Sequence, residues 1–197
     1  STDVTDSVSV GANVNAGGSK SINIGSNVTG AINAVSIGTD NSNLGNGSVA
    51  IGLGVVASVS AINSVVIGKD SKSLNQNSIA IGSNCETESS YAVAIGTDSR
   101  TTGGAAVAIG DQSEADTDSV SIGYLNITRG QNNVSIGSRN SILNNSSQAV
   151  VVGYNCQVST DVTDSVSVGA NVNAGGSKSI NIGSNVTGAI NAVSIGT

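Results

Sequence analysis

The chain has 197 residues, of which 10% are charged and 2% aromatic, with a net charge of −6 and no Pro, Trp, Phe, Met or His. Without a basic stripe it is not built to neutralise phosphates, and it has no apolar run of the roughly 18 residues that a membrane-spanning helix needs. A globular core leans on Phe, Trp, Met and Leu; the apolar residues here are mainly Val, Ile and Ala, and β-branched side chains favour strands.

A pentad of the form small–Val/Ile–small–Ile/Val–Gly recurs fourteen times, ending at Gly11, Gly25, Gly38, Gly52, Gly68, Gly82, Gly96, Gly110, Gly123, Gly137, Gly153, Gly169, Gly183 and Gly196. The steps between these glycines are 13, 14 or 16 residues. A period this short is the signature of a repeat architecture. The two branched residues of a pentad are two apart, so on a strand they share a face. The expected core is therefore two ladders of such residues. The pairs are Val8 and Val10, Ile22 and Ile24, Val35 and Ile37, Val49 and Ile51, Val65 and Ile67, and Ile79 and Ile81. They continue with Val93 and Ile95, Val107 and Ile109, Val120 and Ile122, Val134 and Ile136, and Val150 and Val152. The residue between them, such as Ser36, Ala50, Val66 or Ala80, is expected on the outer face, where its small size would let another sheet approach.

The second residue after the glycine is often Asn or Asp, as at Asn13, Asn27, Asp40, Asp70, Asn84, Asp98 and Asn155. Gly, Asn and Asp bend the chain at low cost, so a turn is expected there. A weaker alternation follows, in Val14 and Ala16, Val55 and Ala57, Ser71 and Ser73, Ser99 and Thr101, and Asn126 and Thr128. It predicts a second, shorter strand with a small inward face. One repeat is then one coil of an all-β parallel solenoid, each strand bonded to its equivalent one coil away. Residues 1–197 are expected to form a single solenoid of 14 coils, about 65 Å long at ~4.8 Å per coil. The 16-residue steps place extra residues among 55–63, 142–148 and 157–164, where they should bulge on an outer edge.

Residues 1–39 are identical to residues 159–197, a displacement of 158 residues or eleven coils. Identity that includes loop residues exceeds what the fold requires. The expectation is a window on a longer array of 158-residue units, with a duplicated cassette as the plainer reading. The chain starts inside a repeat, so a signal peptide would lie upstream in a longer precursor.

Candidate chemistry is sparse. The absence of His removes most triads and zinc sites, and neither catalysis nor a cofactor is expected. Asp111, Glu114, Asp116 and Asp118 form the densest acidic group. They lack the regular pattern of a calcium-binding roll and read as a solvated loop. Cys85 and Cys156 each lie three residues after their motif glycine, five coils or roughly 24 Å apart, too far for a disulfide within one chain. They read as buried small hydrophobes or as bridges between chains. Sequons at Asn27, Asn46, Asn126, Asn144, Asn145 and Asn185 are glycan acceptors only where the source has the machinery.

The pentads at near-fourteen spacing, each with Asn or Asp two residues on, closely resemble the YadA-like head repeats of trimeric autotransporter adhesins. The resemblance covers essentially the whole chain. It implies a left-handed parallel β-roll, wound as a homotrimer and displayed on bacterial surfaces to bind host or matrix components. It implies that each pentad's Val and Ile are roll core and that its glycine is the turn. No heptad stalk, neck or membrane-anchor strands accompany the repeats, so the resemblance bears on fold more than on adhesion. The function expected from self-stacking repeats is a non-enzymatic extracellular fibre or sheath, built from 158-residue units, whose partner is itself. The alternatives are an adhesin head with a surface or matrix ligand and, less favoured, a phage-type tail fibre.

Overall fold

Alternating β-branched residues favour extended backbone, and a corner must follow wherever the alternation stops. The computed structural model, which describes residues 4–196, follows this rule throughout: the described residues form strands, turns and bends, with no helix. The chain divides into two compact units, residues 1–98 and 99–197. Each is an all-β parallel solenoid with turns of about fourteen residues.

In the first unit the pentad strands pair in parallel from one coil to the next. Val8 is opposite Ile22, Ile22 opposite Val35, Val35 opposite Val49, Val49 opposite Val65, Val65 opposite Ile79, and Ile79 opposite Val93. A second ladder of two-residue strands runs through Ser42, Val56, Lys72 and Glu86. The second unit repeats the plan. Its main ladder runs through Val107, Val120, Val134, Val150, Val166, Ile180 and Val193. Its short ladder runs through Arg100, Glu114, Ile127, Ser141, Gln157, Asn173 and Thr187. The expected coil of strand, turn, short strand and turn is observed.

Two left-handed corners recur in each coil. One is the second residue after the motif glycine, as at Asn13, Asp40, Asp70, Asn84, Asp98, Asn155 and Asn171, all with φ near +53°. The other lies five residues before the glycine and is Asn, Asp or Gly in nine of the fourteen coils. It is Asn33, Asn63 and Asn77 but also Lys20, Tyr91, Ala105 and Lys178, with φ from 52° to 61°. The motif glycine is not itself the corner. It lies inside the strand, as Gly52 does in Val49–Leu53 and Gly82 in Ile79–Ser83.

The direction of the pentad side chains is the reverse of the expected one. The middle residues point inward: Ser36, Ala50, Val66, Ala80 and Ala94 in the first unit, and Ala108, Ser121, Ser135, Val151, Ser167 and Asn181 in the second, are fully buried. The branched pairs expected as core face outward. Val8, Val10, Ile22, Ile24, Ile136, Val150 and Val152 are exposed. Val35, Ile37, Val49, Ile51, Val65, Ile67, Ile79, Ile81, Val93, Ile95, Val107, Ile109, Val120, Ile122 and Val134 are half-buried.

Period-two alternation states that two sets of residues face opposite ways; it does not state which set faces in. The width of the roll decides. Inside it, small side chains from opposing walls come into direct contact in several coils. The Ser73 and Ser78 hydroxyls are 2.6 Å apart, Thr87 donates to the Ser78 hydroxyl at 3.1 Å, and Ser113 and Ser121 meet at 2.8 Å. A branched residue at every coil would overfill that space.

The rest of the interior comes from three further inward columns, at the glycine minus four and plus three and five. Examples are Ser64, Ser78 and Ala92, then Val55, Ser71 and Cys85, then Asn43, Ala57, Ser73 and Thr87, all buried. The second column of each short strand therefore faces inward as expected. The 16-residue coils do more than bulge outward. Each adds a buried side chain seven residues before its glycine: Ala61, Ser146 and Val162.

The identical segments share corner angles and hydrogen bonds where both are described. Asn13 and Asn171 have φ of 54° and 53°, and Lys20 and Lys178 have 58° and 56°. Asn23 donates to the Ser21 hydroxyl at 2.9 Å, and Asn181 to Ser179 at 3.0 Å.

Candidate functional site

The most extensive chemical feature of each unit is the outward face of its pentad strands. Every strand contributes two β-branched side chains separated by one inward residue. The parallel register stacks like on like, so the face is two continuous apolar stripes. In the first unit Val35, Val49, Val65, Ile79 and Val93 form one stripe, and Ile37, Ile51, Ile67, Ile81 and Ile95 the other. In the second unit the stripes run through Val107, Val120, Val134, Val150, Val166 and Ile180, and through Ile109, Ile122, Ile136, Val152, Val168 and Ile182. Exposure reaches 39% at Ile136 and 42% at Ile180. Scattered exposed Val or Ile is ordinary, but a contiguous stripe of this kind marks an interaction surface. These residues were expected at the centre of the roll; within each unit the structure gathers them on an outer face instead.

Polar ladders flank the corners. Asn13 donates its side-chain amide to Asn27 at 3.0 Å, and Asn27 donates to Asp40 at 2.8 Å. In the second unit Asn155 donates to Asn171 at 2.8 Å and Asn171 to Asn185 at 3.2 Å. Inside, buried asparagines satisfy backbone groups of their own and the next coil. Asn126 donates to Ile122 O at 2.7 Å and Gly137 O at 3.0 Å, and its own oxygen accepts from the Asn140 backbone N–H at 3.0 Å. Asn133 repeats this with Arg129 O, Ser146 O and the Ala149 N–H.

Both cysteines occupy the position three after the glycine, are buried, and form no disulfide. The Cys85 thiol donates to Gly96 O at 2.9 Å, and Cys156 to Gly169 O at 3.3 Å. Each fills the place taken by serine, asparagine or valine in neighbouring coils. The acidic group does not converge. Glu114 pairs with Arg129 at 3.6 Å, and Asp116 accepts from the Thr117 backbone N–H at 2.8 Å. Among the described residues no three His, Cys, Asp or Glu side chains come together as a metal set. Of the sequon asparagines, Asn27, Asn46, Asn144, Asn145 and Asn185 are exposed, whereas Asn126 is buried and closed to modification in the folded chain.

Sequence reasoning missed two groups. The corner five residues before the glycine is Asn, Asp or Gly in nine of the fourteen coils, a turn signal in register with the pentad that passed unremarked. Tyr124 and Tyr154 went unremarked, although they are two of only three aromatic residues in the chain.

Comparison of the chain with protein-family models and with curated proteins finds no match to either.

Proposed function

We propose that this chain is a non-enzymatic, self-associating structural element of an extracellular or cell-surface fibre, built from 158-residue units. The observation that carries the reading is the outward apolar face. A strand that turns its middle residue inward and its branched pair outward gains by covering that pair. Copies of the same chain are the natural cover, because the stripes repeat at every coil and match themselves in register. The resemblance to YadA-like heads supports three chains per particle and a left-handed roll. The matching corner angles and hydrogen bonds of the two identical segments support end-to-end continuation of the unit.

An adhesin head is the second reading, carried by the same resemblance. On that reading the trimer face is unchanged, and the corners and short strands would hold a surface or matrix ligand. A tail fibre is a third and shares the same physics.

Electron microscopy of chains carrying one, two and three 158-residue units tests the fibre reading. Unbranched rods whose length grows by a constant increment per unit are expected. Globular or length-invariant particles would contradict it.

A further inference from the structure

We propose that Tyr124, Arg139 and Tyr154 form a binding surface for a polysaccharide bearing uronic-acid groups. Tyr124 and Tyr154 occupy the same register position, each just after a motif glycine. Tyr124 is opposite Ser138, which is opposite Tyr154. They are therefore two coils apart on one column, roughly 10 Å at strand spacing. Both rings are exposed, at 43% and 48%. The fold does not ask for an aromatic ring there: the same position holds Ala12, Ser26, Thr39, Leu53, Lys69, Ser83 and Thr97 in the first unit. Arg139 lies exposed between them, its backbone N–H donating to Tyr124 O at 2.8 Å and its guanidinium to the Tyr154 hydroxyl at 3.4 Å.

The chemistry is that of a hydroxylated, anionic chain. Tyrosine offers a rigid apolar face with a polar tip at low entropic cost, which suits a sugar ring. The guanidinium fork matches a carboxylate. Beside Arg139 a depression of about 380 Å³ is lined in part by Asn155, Gln157 and Asn171. Amides both donate and accept, as sugar hydroxyls require. Two rings at this spacing contact alternate residues of an extended polysaccharide running along the column, and the arginine reads the acid group between them.

Affinity electrophoresis of the purified chain in gels containing polygalacturonate or neutral dextran tests this. Polygalacturonate is expected to retard the wild type, and dextran is not. Tyr124→Ser with Tyr154→Ser should weaken retardation at least tenfold, serine being already accommodated in this column. Arg139→Gln should weaken it similarly, with Arg139→Lys restoring part of it. An unretarded wild type, or variants that keep full retardation, would overturn the proposal. So would equal retardation by dextran. Tyr154 ends a strand whose Val150 and Val152 belong to the outward apolar face, so particle mass is read for each variant. A mass that changes in the tyrosine variants places the rings at the rim of the self-association face and also overturns it.

Discussion

A Cβ built on Gly52 would collide with the carbonyl oxygen of Gly68, its partner one coil on. Gly52 also has φ of 144°, a backbone region that side chains rarely adopt. Two independent constraints thus act on one residue, and the same contact links Gly68 to Gly82 and Gly82 to Gly96. Gly52→Ala is expected to destabilise the fold by about 3 kcal/mol or more, read as a fall in the urea unfolding midpoint. Unchanged stability would mean that the stacked glycines are not close-packed.

Asn140 makes a second kind of coil-to-coil link. Its amide donates to Ile136 O at 3.1 Å and Gly153 O at 3.0 Å, and its oxygen accepts from the Cys156 N–H at 3.0 Å. Asn140→Leu would leave these buried backbone groups unpaired, a loss of about 2–3 kcal/mol. Asn140→Ser should cost less, because Ser71, Ser99 and Ser113 occupy the same register position. Their hydroxyls reach carbonyls directly, as Ser71 does to Gly82 O at 3.1 Å. Equal losses in the two variants would remove the hydrogen-bond account. Equilibrium denaturation measures both.

The thiols provide a test of accessibility. Cys85 and Cys156 are buried within their own rolls, so neither can meet a copy of itself without opening the coil. Native protein should be silent to a thiol reagent such as DTNB, and two thiols per chain should titrate once it is unfolded. Rapid reaction of the native chain, or a disulfide-linked dimer on a non-reducing gel, would contradict that placement.

Much of the fold was legible in the pentads. Spacing gave the coil, the parallel register and the inward pairs of the short strand, such as Val55 with Ala57 and Ser71 with Ser73. The faces of the main strand were not legible. Val49 and Ile51 alternate with Ala50 whichever set lies inside, and hydrophobicity alone chose the wrong one. The decisive quantity is the distance between opposing walls, and that becomes visible only when Ser73 meets Ser78. Corners were half legible for a similar reason. Asn13 and Asp40 advertise a left-handed backbone, whereas Lys20, Tyr91 and Ala105 are held there by the stacking of neighbouring coils. The candidate site went unrecognised as a site because its residues had been assigned to the core.

If copies of the chain cover the outward stripes, the native particle holds more than one chain. Light scattering coupled to size exclusion gives the mass of the native particle directly, against 19.1 kDa for one chain. The expected mass is that of three chains. Ile51→Asp with Ile67→Asp, on adjacent coils of one stripe, should shift it toward the single chain. A wild-type particle of 19.1 kDa that keeps its β-sheet circular dichroism would contradict the account.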